Sequence, residues 1–192
     1  MGLDTYKKKR KFTKTPEPEG REIHHNGSLH FVVQKHHARQ LHYDFRLEME
    51  GVMKSWAVPK GPSLDPKDKR LAMMVEDHPL EYRKFEGVIP EGNYGAGPVI
   101  IWDEGSYTSL NTANKKEAEK ELLAGLHKGH ITFILSGKKL KGEFALIKLR
   151  SGDKKAWLLV KADDQYASKK NVTKQDKSVK SKKTIEQVEK SS

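Results

Sequence analysis

From Leu41 onward, hydrophobic and polar residues alternate without a break: Leu41, Tyr43, Phe45, Leu47 and Met49 take one parity, and His42, Asp44, Arg46, Glu48 and Glu50 the other. This period of two predicts a strand with one face packed on a core and the other displayed. Similar short runs rich in β-branched and aromatic residues recur between glycines and prolines: "LHFVVQ", "KSWAV", "RLAMMVED", "PVIIWDEGSYTSL", "HITFIL", "GEFALIKLR" and "AWLLVKA". Their number and spacing predict a mostly β, mostly antiparallel fold, a small closed or strongly curved β-barrel with a few flanking helices. One helix stands out at "NKKEAEKELLAGLHKG". Asn114 can cap it, Ala118, Leu122 and Leu126 share a face, and Gly129 can end it. The stretch "SGKKLKGEFALIKLRSGDKKAWLLVKA" predicts two or three strands, with Gly152-Asp153 at a hairpin-like tip.

Composition refines this picture. The chain has 192 residues, 35% of them hydrophobic, enough for one domain with a core. Its ends differ from its middle. Residues 1–22 carry net +3 and residues 168–192 net +5 of the total +11, leaving +3 on residues 23–167. The expected organisation is a basic, partly ordered arm over 1–22, a barrel domain over 23–167, and a disordered Lys-rich tail over 168–192. Basic ends imply salt-sensitive attraction to phosphates or simple solubility, while specificity must come from a site on the middle segment. With no cysteine, disulfides and thiol catalysis are excluded, and a metal must be held by His, Asp or Glu. No apolar run approaches the roughly 20 residues of a membrane span, so the expected location is the cytoplasm, at the nucleoid.

The polar face of the 41–49 strand carries the candidate chemistry. Residues two apart on a strand are roughly 6–7 Å apart at the backbone, so His42 and Asp44 can lean toward one ion while Arg46 points at an anion beside it. A third ligand can come from "QKHHARQ". His36 is the most plausible, but spacing does not separate it from His37. Two imidazoles and a carboxylate leave positions open for water and substrate, as a catalytic metal site requires. The competing reading is a soluble strand whose polar face meets water. His24 and His25 fall in an expected loop, His30 on a strand surface, and His127 and His130 near the helix C-terminus, where the dipole favours a cationic imidazole. In "VEDHPLEYRKFEG", Asp77, His78 and Tyr82 surround a proline turn, and His78 can stand at a strand end facing a cavity. "PEGNYGAG" lacks the lysine and Ser/Thr of a phosphate-binding loop and reads as an ordinary tight loop.

Two long stretches, "FVVQKHHARQLHYDFRLEMEGVMKSWAVPKGPSLDP" and "RLAMMVEDHPLEYRKFEGVIPEGNYGAGPVIIWDEG", closely resemble the phosphoesterase domain of the bacterial end-joining DNA ligase D. The resemblance runs from about Tyr6 to Val160. It implies a Mn2+-dependent enzyme, with Co2+ or Zn2+ as substitutes, that removes a 3′-terminal ribonucleoside and then the 3′-phosphate, leaving a ligatable 3′-hydroxyl. On the same basis His36, His42 and Asp44 match the metal ligands, Arg46 and His78 the phosphate contacts, and Tyr82 a site tyrosine. Arg10 and Glu17 match arm residues that assist the diesterase step. Lys11 stands where the family often has Asp, and His37 where a small or acidic residue is expected. The implied substrate is a nucleic acid with a recessed or ribonucleotide-containing 3′ end. The chain is read as a free-standing module working with a separate ligase, polymerase and end-binding repair proteins, and not with a membrane. A non-catalytic module that binds nucleic-acid ends or a repair partner is the alternative from another class.

Overall fold

The computed structural model describes residues 2–20, 27–150 and 152–191. Ten strands are present among them: β1 Leu29–His37, β2 Leu41–Met49, β3 Val52–Val58, β4 Arg70–Met74, β5 His78–Pro79, β6 Gly87–Ile89, β7 Gly97–Thr108, β8 His130–Gly137, β9 Lys141–Lys148 and β10 Ala156–Lys161. Eight of them pair antiparallel in the order β1-β2-β3-β4-β10-β9-β8-β7, and β7 pairs back onto β1, closing a barrel. The eight barrel strands are the eight runs rich in β-branched and aromatic residues. β5 and β6, with two and three residues, are too short to show a period and hang on the outside of β3 and β7.

Side chains fill the interior, as the width of an eight-stranded barrel dictates. Phe31, Val33, Phe45, Leu47, Trp56, Trp102, Phe133, Phe144, Leu146, Trp157 and Leu159 belong to one buried cluster, which thus takes in all three tryptophans of the chain. Helix α2, Lys115–Lys128, closes over it through Ala118 and Leu122. Its ends follow the expected chemistry. The Asn114 side chain accepts from the Lys116 and Glu117 amides, and Gly129 ends the helix at φ 78°, a left-handed conformation that suits glycine. Gly152 lies in the β9–β10 connection, also at positive φ.

Two expectations about the 41–49 strand need correction. Leu41 is 42% exposed, because it sits at the hairpin turn beyond the edge of the core. Most of the opposite parity is covered rather than displayed: Asp44, Arg46 and Glu48 are all buried. A second layer covers this outer face of the barrel. It consists of the arm with α1 (Asp4–Lys8), the 3-10 turn at Leu80–Lys84, and a small cluster of Val32, Met53, Leu80 and Ile101.

Residues 168–191, expected to be disordered, run along the barrel instead. The segment has few apolar residues, but they are placed as anchors: Val172 joins the main core, and Ile185 and Val188 of α3 (Ile185–Lys190) pack on Ile100. Backbone carbonyls complete the clasp. The carbonyl of Gln175 accepts from Trp102 Nε1 at 2.7 Å and from Lys139 Nζ at 2.8 Å. Thr184 and Gln187 form a reciprocal capping box at the start of α3. Mean composition hid these anchors, since their effect depends on position.

Replacing Ile185 with Ala should therefore lower unfolding stability by about 2–4 kcal/mol. Denaturant titration of the two proteins checks this, and an unchanged midpoint would show that the segment is not docked.

Candidate active site

β1 and β2 form a hairpin across residues 38–40, and its register sets His36 opposite His42 and Gln34 opposite Asp44. Directly opposed residues project on the same face with Cβ atoms about 5 Å apart. His37 pairs with Leu41 on the other face and is exposed. Cross-strand pairing thus brings His36, and not His37, to His42 and Asp44. His36 Nδ1 lies 3.5 Å from Asp44 Oδ2, and His42 Nε2 lies 3.5 Å from Asp44 Oδ1. One atom from each of the three residues falls within 4.8 Å of the others.

Main-chain carbonyls orient both imidazoles. His36 Nε2 donates to the carbonyl of Gly95 at 2.7 Å, and His42 Nδ1 donates to that of Gln40 at 3.0 Å. A carbonyl only accepts, so each fixes the proton on the outer nitrogen and turns the other nitrogen's lone pair toward Asp44. Two lone pairs and a carboxylate converging on one point repel unless a cation lies among them. Atoms bound to one divalent ion at about 2.1 Å stand roughly 3.0–3.5 Å apart, which is the spacing of each imidazole from an Asp44 oxygen, while the set spans up to 4.8 Å and would draw in to hold such an ion. Electrostatics agree. Burial works against the Asp44 carboxylate, but Arg46, His36 and His42 hold its pKa well below the ordinary value. Burial likewise opposes a positive charge on His42, and Asp44 outweighs it, so the His42 pKa is raised.

Arg46, two residues along the same face, is a buried guanidinium with every neighbour assigned. Its Nε donates to Gln34 Oε1 at 2.7 Å, Nη1 to Ser55 Oγ at 2.9 Å, and Nη2 to Asp44 Oδ2 at 3.1 Å. Nη1 also lies 3.1 Å from His78 Nδ1, which donates to the Glu76 carbonyl at 2.9 Å, and Nη2 keeps one hydrogen for a ligand. Gln34 is fixed in turn, its amide donating to the carbonyls of Tyr82 and Phe85 at 2.9 Å each. His78, on β5, lies between two arginines, with Arg10 Nη2 3.4 Å from its Nε2. Burial and the charges of Arg46 and Arg10 push its pKa well down, so the ring is neutral at neutral pH.

The arm completes the wall. Arg10 Nε donates to Glu17 Oε1 at 2.8 Å, and its guanidinium lies 3.9 Å from the Tyr6 ring centre. Tyr82 donates its hydroxyl to the same Glu17 oxygen at 2.9 Å. Burial, then Glu17, hold the Tyr82 pKa well above its ordinary value, keeping it a neutral donor. Glu76 receives Lys9 at 3.0 Å and Arg10 at 3.4 Å. Lys11 is exposed.

All of the candidate residues except Glu17 line one open cleft of about 910 Å³, formed by His36, His42, Asp44, Arg46, Arg10, His78 and Tyr82 with the loop around Gly95. Glu17 is buried behind it. Asp77 is turned away to Lys54, at 2.9 Å, and His30 to Glu48, at 3.1 Å. His24 and His25 lie outside the described residues. "PEGNYGAG", read as an ordinary loop, forms part of the cleft wall. Gly97 there has φ 135°, and a Cβ would run into the His37 carbonyl. Gln34, Ser55, Glu76 and Gly95 were not anticipated. Gln34 stands two residues before His36 on the same face of β1, a signal that strand alternation offered.

The family model for the DNA Ligase D 3′-phosphoesterase domain matches residues 34–148. The chain belongs to that family. Multifunctional non-homologous end joining protein LigD of Pseudomonas aeruginosa is 52% identical over 168 residues, 86% of this chain and 19% of that protein. LigD of Mycolicibacterium smegmatis is 44% identical over 164 residues, 85% of this chain and 21% of that protein. The chain thus spans about a fifth of the length of the curated relatives it matches. The matched region holds every ligand atom of the His36–His42–Asp44 cluster, whereas the arm with Arg10 and the clasp over 168–191 lie outside it. No helix among the described residues of this DNA ligase D phosphoesterase-family chain is long and apolar enough to cross a membrane.

Two tests follow from the geometry. Gln34→Leu strands Arg46 Nε and takes the side-chain partner from the Phe85 carbonyl, while the Tyr82 carbonyl keeps the Phe85 amide, and should cost about 1–3 kcal/mol in a denaturant titration. The second concerns acid. The folded pKa of His78 lies below the ordinary 6.5, so below that pH the unfolded chain takes up a proton that the folded chain refuses. Stability conferred above pH 6.5 is therefore lost as pH falls, by up to about 1.4 kcal/mol per pH unit from this group. His78→Asn should flatten the slope between about pH 7 and pH 5, measured in EDTA.

Proposed function

We propose that this chain is a Mn2+-dependent phosphoesterase that heals 3′ ends. It removes a 3′-terminal ribonucleoside as a phosphodiesterase, then the 3′-phosphate as a phosphomonoesterase, and leaves a 3′-hydroxyl for ligation. One observation carries the reading: three ligand atoms within 4.8 Å of one another open onto the same cleft as the buried guanidiniums of Arg46 and Arg10 and the imidazole between them. A pure binding surface has no need of a convergent lone-pair cluster beside its anion contacts.

His36, His42 and Asp44 would hold the ion. Bound Mn2+, with Co2+ or Zn2+ as substitutes, would polarise a non-bridging phosphate oxygen and lower the pKa of a water. The protein's own groups supply the rest. Arg46 offers its uncommitted Nη2 hydrogen to a phosphate oxygen. Because Gln34, Ser55 and Asp44 already lock the guanidinium, charge developing on phosphorus meets a donor that does not need to reorganise. A phosphate entering between Arg46 and Arg10 offsets the two charges that depress the His78 pKa. The ring then takes up a proton where it can pass it to the leaving oxygen. Glu17 holds Arg10 and Tyr82 in place, which ties the arm to the same phosphate. Lys11, in a position where the family often has Asp, bears on the nucleoside-removing step. The reading places the protein on the nucleoid in the cytoplasm, acting on recessed or ribonucleotide-ended 3′ strands with a ligase, a polymerase and end-binding proteins as partners.

A 5′-labelled primer–template with one terminal ribonucleotide should be shortened and then dephosphorylated in Mn2+, and left intact in EDTA. His42→Ala and Asp44→Ala should each reduce turnover by roughly 10²-fold or more while the circular dichroism spectrum is unchanged. An intact primer at enzyme excess, with the primer still bound, would point to the non-catalytic end-binding module instead.

A further inference from the structure

The cleft is far larger than a phosphate group. At about 910 Å³ it is of the size that encloses whole small-molecule ligands, so most of it receives what is attached to phosphorus. The groups on its floor are polar: Asp44, Arg46 and His78. Of the two tyrosines that line it, Tyr82 is buried and commits its hydroxyl to Glu17. The other, Tyr94, is 50% exposed and stands at the rim.

Tyr94 is held in place although its ring is open. On one side Asn93 Nδ2 donates to the carbonyls of Pro90 and Lys14, both at 3.1 Å, which ties the loop to itself and to the arm. On the other side the Gly95 carbonyl fixes His36. The ring is thus one residue from the group that orients a metal-ligand candidate. Two cations approach it, Lys9 Nζ at 4.6 Å and the Arg10 guanidinium at 5.4 Å from the ring centre. Lys9 has a second partner in Glu76 at 3.0 Å, so a ligand on the ring need not leave the ammonium unpaired.

We infer that Tyr94 is a stacking platform for a nucleobase, an assignment that rests on the reading of the cleft as a 3′-end site. The base is that of the nucleoside whose 3′ oxygen carries the phosphate, the part of the substrate common to both cleavage steps. With its phosphate at Arg46 and His78, the nucleoside extends along the cleft and its base lies on the open half of the ring. A π face accepts any of the four bases, so the platform selects nucleotide ends over small phosphoesters without reading sequence. The neighbouring cations strengthen the contact by drawing on the same ring electrons.

Binding separates this role from catalysis. A 5′-fluorescent primer–template ending in a 3′-phosphate is titrated in EDTA, with either a normal or an abasic 3′-terminal residue, against wild type, Tyr94→Ala and Tyr94→Phe. Wild type and Tyr94→Phe should prefer the base-bearing primer by about tenfold, within the roughly 5- to 150-fold expected for one stacked base. Tyr94→Ala should lose that preference, binding both primers as wild type binds the abasic one. Competition by inorganic phosphate should be the same for all three proteins. The platform is overturned by any of four results: no preference in wild type, a preference kept by Tyr94→Ala, a preference lost by Tyr94→Phe, or weaker phosphate competition in Tyr94→Ala. Base-dependent binding without turnover would remove the phosphoesterase reading and keep the platform, and turnover with base-independent binding would do the reverse.

Discussion

The charge of Arg46 is almost entirely withdrawn from water at the floor of the cleft, and the outer face of the barrel is arranged around that fact. A buried guanidinium is tolerated only if its hydrogens find partners and its charge finds a counter-charge. Gln34 on β1, Asp44 on β2 and Ser55 on β3 supply them, so one side chain ties together three barrel strands. Each partner is constrained in turn. Asp44 stays ionised because Arg46 is beside it, and His78 stays neutral because it is buried and faces the same charge. Removing the arginine would disturb the ligand cluster and the phosphate pocket together.

Much of this was legible in the sequence. Runs of β-branched and aromatic residues between glycines and prolines found the eight barrel strands, and alternation found the row of His42, Asp44 and Arg46, because a strand imposes a period of two on what it carries. Cap and terminator residues found α2. His36 was less accessible: in a linear reading it equals His37, and only the pairing with β2 separates them, although resemblance to the family had pointed the same way. The contributions of Ser55 and Gly95 are relations between strands or between a loop and a strand. No single segment carries them. The clasp over 168–191 escaped for another reason. Its lysines dominate the composition, whereas Val172, Ile185 and Val188 determine where it lies.

The site also shows how main-chain geometry stands behind side-chain chemistry. The lone pairs of His36 and His42 point inward because carbonyls of Gly95 and Gln40 hold the opposite nitrogens. A substitution that moved either loop would alter the ligand set without touching a ligand. The glycines of the 90–97 loop serve this arrangement through close backbone approach, as at Gly97 beside the His37 carbonyl.

Small barrels with packed interiors have no lumen to offer a ligand, and an end opening limits what can enter to something short. Here the functional groups lie on the sidewall, on the outward parity of β1 and β2, beneath an arm and a loop that leave the cleft open along its length. A sidewall groove sets no upper limit on the size of the molecule that rests in it. A long polymer can lie against the flank with one terminus in the groove, and the packed interior behind it need not move.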